Sequence, residues 1–171
     1  MPTDTSTKTI DNLKAAFAGE SQANRKYLAF SQKAAKDGFP IVSRLFKAAA
    51  EAETIHALGH LQAMDGVGST QENLKSALAG ETYEYKEMYP PMLETAQKEG
   101  HRAKVMFGFA LKAEKVHADL YAAALEAVEA GKDLAGAEVY LCPVCGHIEI
   151  GRPSAKCPTC GLPPEKFQRI D

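Results

Sequence analysis

The strongest constraint on this chain is an internal duplication. Leu13-Lys14-Ala15-Ala16-Phe17-Ala18-Gly19-Glu20 returns as Leu74-Lys75-Ser76-Ala77-Leu78-Ala79-Gly80-Glu81, identical at six of eight positions and displaced by 61 residues. The same displacement carries Ala52-Glu53-Thr54-Ile55-His56-Ala57 onto Ala113-Glu114-Lys115-Val116-His117-Ala118. Within the halves, Asp37-Gly38-Phe39-Pro40 and Glu99-Gly100 are stop signals. The stretches between breaks predict four helices, at about 9–36, 40–64, 71–99 and 101–131. Two tandem helical hairpins follow, and hence a four-helix bundle.

Composition sets the limits of that bundle. Of 28 alanines, 27 lie before residue 138, whereas all four cysteines and five of the nine prolines lie after it. Alanine is the cheapest residue to place in a helix. The last 34 residues hold too few apolar side chains for a core of their own and need a staple. We therefore expect a disordered start at 1–7, a helical bundle at 8–135 and a small cysteine module at 136–171, linked across Gly131 to Gly136. A net charge of −2 over 171 residues offers no general attraction to nucleic acid or anionic lipid. The opening Met-Pro-Thr-Asp-Thr-Ser-Thr has no basic and apolar leader, and no stretch of eighteen apolar residues follows. The expectation is a cytoplasmic protein with neither membrane nor nucleic-acid partner.

What the duplication retains is chemically specific. Each half offers one Glu on its first helix and Glu-x-x-His on its second, a pair that shares a helix face at i and i+3. Glu20, Glu53, His56, Glu81, Glu114 and His117 thus form a symmetric set suited to two metal ions in a bundle core, where carboxylates bridge and neutralise the pair. A lone Glu on an alanine-rich helix is ordinarily a solvated residue; the register of the two copies argues otherwise. Glu84, one turn after Glu81, breaks the symmetry, because its counterpart is Ala23. A fifth carboxylate on one side makes the two metals inequivalent and allows an exchange of Glu84 for His56. Tyr27 and Tyr89 lie about two turns beyond Glu20 and Glu81, where their hydroxyls reach ligating carboxylates, although core packing explains the spacing nearly as well. His60 and His101 lack repeat partners and read as surface or supporting residues. Tyr89-Pro90-Pro91 predicts a kink in the third helix.

The cysteine module reads Cys142-Pro143-Val144-Cys145-Gly146, eleven residues, then Cys157-Pro158-Thr159-Cys160-Gly161. Four thiolates on two tight turns suit one tetrahedral zinc or iron, and spacing alone does not separate the two metals. His147 follows the first turn, but four cysteines already complete the site.

Taken together, Gly19-Glu20, Glu53-x-x-His56, Gly80-Glu81-x-x-Glu84, Glu114-x-x-His117 and the two C-P-x-C-G turns resemble the rubrerythrin family over about residues 8–168. That resemblance implies a mainly α chain, a ferritin-like bundle followed by a rubredoxin-like domain. It implies two irons at the carboxylate site, oxo- or carboxylate-bridged, and one iron at Cys142, Cys145, Cys157 and Cys160, where zinc can enter recombinant material. It makes Glu53 and Glu114 the bridges, sets Glu20 with Glu84 or His56 at one iron and Glu81 with His117 at the other, and gives Tyr27 and Tyr89 supporting roles. The implied activity is reduction of hydrogen peroxide to water in oxidative-stress defence, with electrons from an NAD(P)H-dependent reductase or a rubredoxin. The implied assembly is a homodimer.

The connector Asp65-Gly66-Val67-Gly68-Ser69-Thr70 carries a further expectation. In such a bundle the second and third helices run parallel, so the link must travel about 30 Å along the axis. Seven extended residues reach about 24 Å. The helix pairs are therefore expected to be exchanged between two chains. The competing reading of the whole is a ferroxidase or iron-handling bundle clipped by a structural zinc ribbon.

Overall fold

A computed structural model describes residues 7–136 and 138–171. The segment expected to be disordered lies outside the described residues as far as residue 6. The described chain divides into two compact units, the first ending at Gly68 and the second beginning at Ser69.

The first unit is a helical hairpin of α1, Thr7–Lys36, and α2, Pro40–Ala63. Gly38 makes the turn at φ 83°, and Pro40 opens α2 where its missing N–H has no partner to lose. The seam between the helices is built from small and polar residues: Ala34, Ala50, Ala57, Asn24 and Ser31 are buried. Asn24 Nδ2 donates to the Ala50 carbonyl at 2.7 Å and to Thr54 Oγ1 at 2.8 Å. Ser31 Oγ donates to the Ser43 carbonyl at 2.8 Å. Each contact satisfies a polar group that close packing has removed from water. Nearer the turn, Tyr27, Phe30 and Phe46 form an aromatic cluster with ring centroids 5.5–6.2 Å apart.

The second unit opens with a capping box. Ser69 N–H donates to Glu72 Oε2 at 2.7 Å, and Glu72 N–H donates to Ser69 Oγ at 3.3 Å. Helix α3, Thr70–Tyr83, runs into a π-helical turn, Glu84–Met88, and continues as α4, Tyr89–Lys98. Helix α5, Ala103–Glu129, returns alongside all three segments, and Gln71 donates to Glu129 Oε1 at 2.7 Å where α3 begins and α5 ends. The four helices expected from the sequence are present, the third of them interrupted by the π turn. That turn answers the problem raised by Pro90 and Pro91. Tyr89 N–H reaches back five residues to the Glu84 carbonyl, so the helix continues without the two donors the prolines lack.

After α5 come three short strands, β1 Val139–Leu141, β2 Ile148–Ile150 and β3 Gln168–Ile170, in the antiparallel order β2-β1-β3. A 3-10 turn at Pro164–Lys166 precedes β3. The core of this sheet is Cys142, Cys145, Cys157 and Phe167, with Phe109 of α5 packed against it. No helix among the described residues is long and apolar enough to cross a membrane.

Candidate metal centres

Each unit gathers its own set of carboxylates and one imidazole. In the first, ligand atoms of Glu20, Glu53 and His56 lie within 4.8 Å of one another. His56 Nδ1 stands 3.1 Å from Glu53 Oε2 and 4.0 Å from Glu20 Oε2. In the second, Glu81, Glu114 and His117 meet the same criterion. His117 Nδ1 stands 2.7 Å from Glu114 Oε2 and 3.7 Å from Glu81 Oε1. The duplication has thus reproduced a geometry as well as a motif, with Nδ1 turned inward both times.

The charge state of these clusters tests whether they suit a cation. A hydrogen bond to Glu53 holds the Glu20 carboxyl above the usual range and, from the other side, holds Glu53 below it. Burial, followed by the nearby Glu114, raises Glu81. Burial and then Glu81 raise Glu84. Carboxylates brought this close repel one another unless a proton or a metal ion stands between them. Paired hard oxygens with one imidazole per cluster are the donors that divalent iron takes. Tyr89 belongs to the same surroundings: burial raises its phenol most, and Glu84, Glu114 and Glu81 add to the effect.

The two halves differ in how the imidazoles are held. The His117 side chain is 15 % exposed, and its Nε2 lies 2.8 Å from the Gly146 carbonyl of the cysteine module. An acceptor there fixes the proton on Nε2 and leaves Nδ1 free to ligate. The His56 side chain is 56 % exposed, and only its Nδ1 is engaged by the carboxylates around it. His60 bears on Glu20 electrostatically, and His101 Nδ1 accepts the Ala103 N–H at 3.1 Å.

The π turn also resolves the position of Tyr89. Glu81 follows Glu20 by 61 residues, yet Tyr89 follows Tyr27 and Gly100 follows Gly38 by 62. One residue has been added within the helix, and a π turn is how a helix absorbs one. The two tyrosines consequently keep equivalent neighbours: Tyr27 lies 6.2 Å from Phe46 and Tyr89 lies 6.2 Å from Phe107. The change of displacement from 61 to 62 was the available signal. The Gly146 carbonyl contact had none, because any residue type presents a carbonyl.

The four cysteines converge fully. Their sulfurs lie within 4.8 Å of one another, with Cys142 to Cys160 and Cys145 to Cys157 both at 3.5 Å. A disulfide needs about 2.05 Å, whereas an ion with four bonds of about 2.3 Å sets its sulfurs about 3.8 Å apart. The two turns are copies: Gly146 N–H donates to the Cys142 carbonyl and Gly161 N–H to the Cys157 carbonyl, both glycines at φ 80°. Burial pushes the Cys142 thiol up, but amides of Val144 and Cys145 aimed at its sulfur outweigh that and bring it below its ordinary value. Burial dominates at Cys145 and Cys160 and raises both. An unmetallated thiol pocket is therefore electrostatically frustrated, and a bound cation relieves it.

Paired carboxylate and Nδ1 clusters, joined on one chain to a tetrahedral four-thiolate pocket, define an iron-binding oxidoreductase of the carboxylate-bundle class. The family model described as Rubrerythrin matches residues 11–125, and that described as Rubrerythrin, rubredoxin-like domain, matches 140–168. The chain is 39 % identical to Rubrerythrin-2 of Clostridium acetobutylicum, over 94 % of this chain and 95 % of the relative. It is 38 % identical to nigerythrin of Nitratidesulfovibrio vulgaris, over 93 % and 85 %. A solved structure of fully reduced, all-ferrous nigerythrin aligns with a TM-score of 0.57 at 37 % identity, covering 99 % of this chain and 92 % of that one. The chain belongs to the rubrerythrin family. The ferritin-like and rubredoxin-like fold classes, and the residues of the di-iron and four-cysteine iron sites, are those expected from the sequence.

Proposed function

We propose that this chain is a non-haem di-iron peroxidase that reduces hydrogen peroxide to two waters, consuming two electrons and two protons, in oxidative-stress defence. The observation that carries the reading is the hydrogen bond between His117 Nε2 and the Gly146 carbonyl. It joins the imidazole of one metal cluster to the backbone that follows Cys145, so the two sites are connected by one hydrogen bond and a short run of main chain. When bound, the iron pair supplies the electrons that break the O–O bond, and the thiolate-held iron replenishes them singly.

The residues have distinct tasks in this reading. Glu20, Glu53, His56, Glu81, Glu84, Glu114 and His117 hold the pair, with Glu53 and Glu114 as bridges. His117, fixed on its far nitrogen, keeps its place. His56 is the imidazole free to withdraw in favour of Glu84. Tyr27 and Tyr89, each braced by a phenylalanine, orient carboxylates through their hydroxyls. Cys142, Cys145, Cys157 and Cys160 hold the third iron. Electrons enter from an NAD(P)H-dependent reductase or a rubredoxin, and four cysteines with no disulfide among them accord with a reducing cytoplasm. The working modules are the bundle at 8–135 and the cysteine module at 136–171.

Complete di-iron sites require two hairpins, and the connector indicates their source. Helix α2 ends at Ala63 and α3 begins at Thr70. Gly66 N–H caps the Leu61 carbonyl at 2.9 Å, at a point where a Cβ would strike the Leu61 side chain, so part of the connector is spent on turning. From Glu53 to the end of α2 and from the start of α3 to Glu81 is about 30 Å of helix. The remaining link spans far less than that. The complementary hairpin accordingly comes from a second chain, giving a homodimer with exchanged helix pairs.

The test uses the iron-loaded full chain, reduced without oxygen and mixed with one equivalent of hydrogen peroxide. Peroxide should reoxidise both iron chromophores within seconds and much faster than air does. Reoxidation no faster than by air, or a four-cysteine chromophore that stays reduced, rejects the peroxidase.

A further inference from the structure

The duplication makes α2 and α5 counterparts, yet their outer faces are treated differently. On α5, Phe109 packs against the cysteine core, His117 Nε2 meets the Gly146 carbonyl, and Leu120 lines a shared cleft with Ile148 and Ile150. The cysteine module is seated there. The corresponding residues on α2, 61 positions earlier, are Ala48, His56 and Gly59. Nothing among the described residues covers them. Ala48 and Gly59 are exposed and lie in an apolar stripe with Ile41, Leu45, Ala52 and Ile55. Ile41, Leu45 and Ile55 are 68 %, 68 % and 71 % exposed. The steps of four, three, four, three and four residues keep the stripe on one side of the helix, away from the buried Ala50 and Ala57 that face α1.

We propose that this stripe is a homotypic interface, in which α2 of one copy packs antiparallel against α2 of another about a two-fold axis level with Ala50. Two features select a second copy as the occupant. The stripe is symmetric in spacing about that level. An antiparallel mate therefore sets Leu45 against Ile55, Ala48 against Ala52 and Ile41 against Gly59, each pair occurring twice, as an isologous interface requires. Bulk meets space at the ends, and the central alanines allow the axes to approach to about 8 Å. The flanking charges are also self-complementary. Lys47 and Glu51 border the stripe, and neither pairs with another charge among the described residues. In the antiparallel mate, Lys47 of each copy falls beside Glu51 of the other. The cysteine module of a second copy is not the occupant, because its Gly146 carbonyl is already committed to His117.

The interface is separate from the exchange of helix pairs, which uses the inner faces, and it stands whether or not the peroxidase reading does. Sedimentation equilibrium of the metal-loaded full chain tests it. Ile41→Glu/Ile55→Glu places charge on two solvent-facing positions and should halve the assembly mass, with helical content and iron content unchanged. Lys47→Glu should raise the dissociation constant about tenfold, and Lys47→Glu/Glu51→Lys should restore it. A double isoleucine variant with the wild-type mass overturns the proposal, as does a charge exchange that restores nothing. If the mass is unchanged while reduction by the electron-donor protein slows, the face belongs to that donor and self-pairing is wrong.

Discussion

Glu84 is the residue at which the two halves of the molecule stop being copies. It sits at the first position of the π turn, faces Glu81 and His117, and has alanine as its counterpart. Glu84→Ala should keep the metal content of the isolated protein and lose peroxidase turnover by about 10–100-fold; an unchanged rate removes Glu84 from the reaction. The same side chain sets a pH dependence in metal-free protein. Its carboxyl is raised in the fold, so its ionised form costs stability at neutral pH, and that cost fades as pH falls towards the ordinary carboxylate range. Glu84→Gln should therefore raise the melting temperature of the metal-free chain by about 2–4 °C at pH 7 and by nothing at pH 4, read by calorimetry. Most of this site was legible from residue types, because Glu-x-x-His written twice leaves few other meanings. The Asn24 contacts to Ala50 and Thr54 were not: an asparagine within a helical pattern reads as exposed until the opposite helix is placed against it.

At the level of elements, the π turn shows what periodicity hides. A window of hydrophobic spacing barely registers one added residue, and Pro90-Pro91 pointed to a kink. The structure instead lengthens a single turn, keeping Tyr89 on Phe107 as Tyr27 is on Phe46. Deleting Lys86 should convert the turn to regular helix and swing everything after it by about 100°. We expect a lower melting temperature and a changed tyrosine environment by NMR, with the four-cysteine iron spectrum untouched; an unaltered melting temperature contradicts the assignment. Helix limits, by contrast, were readable from Gly38, Pro40 and Gly100, whose backbone demands do not depend on the rest of the fold. The exposed stripe of α2 escaped notice because its apolar residues look like core until the side facing α1 is known.

Across the whole molecule, the cysteine module depends on its metal more than the helices do. Three cysteines and Phe167 are its entire buried core, and strands of three residues each contribute little. Stripping that metal with a strong chelator should abolish amide protection across residues 138–171 while α1 to α5 stay protected, as hydrogen-exchange mass spectrometry would show. Persistent protection of the sheet in stripped protein would mean that packing alone holds it. Composition had already marked these residues as too poor in apolar side chains to stand unaided. Nothing in composition indicated that the module would rest on its own chain's α5.

The single residue inserted after Tyr83 has a consequence for descent. Once one copy of the hairpin had acquired it, the two copies could no longer be exchanged by recombination without loss. A chain assembled from two first hairpins would regain perfect twofold likeness, bind its metals evenly, and have no spare carboxylate with which to tell one oxidation level from the next.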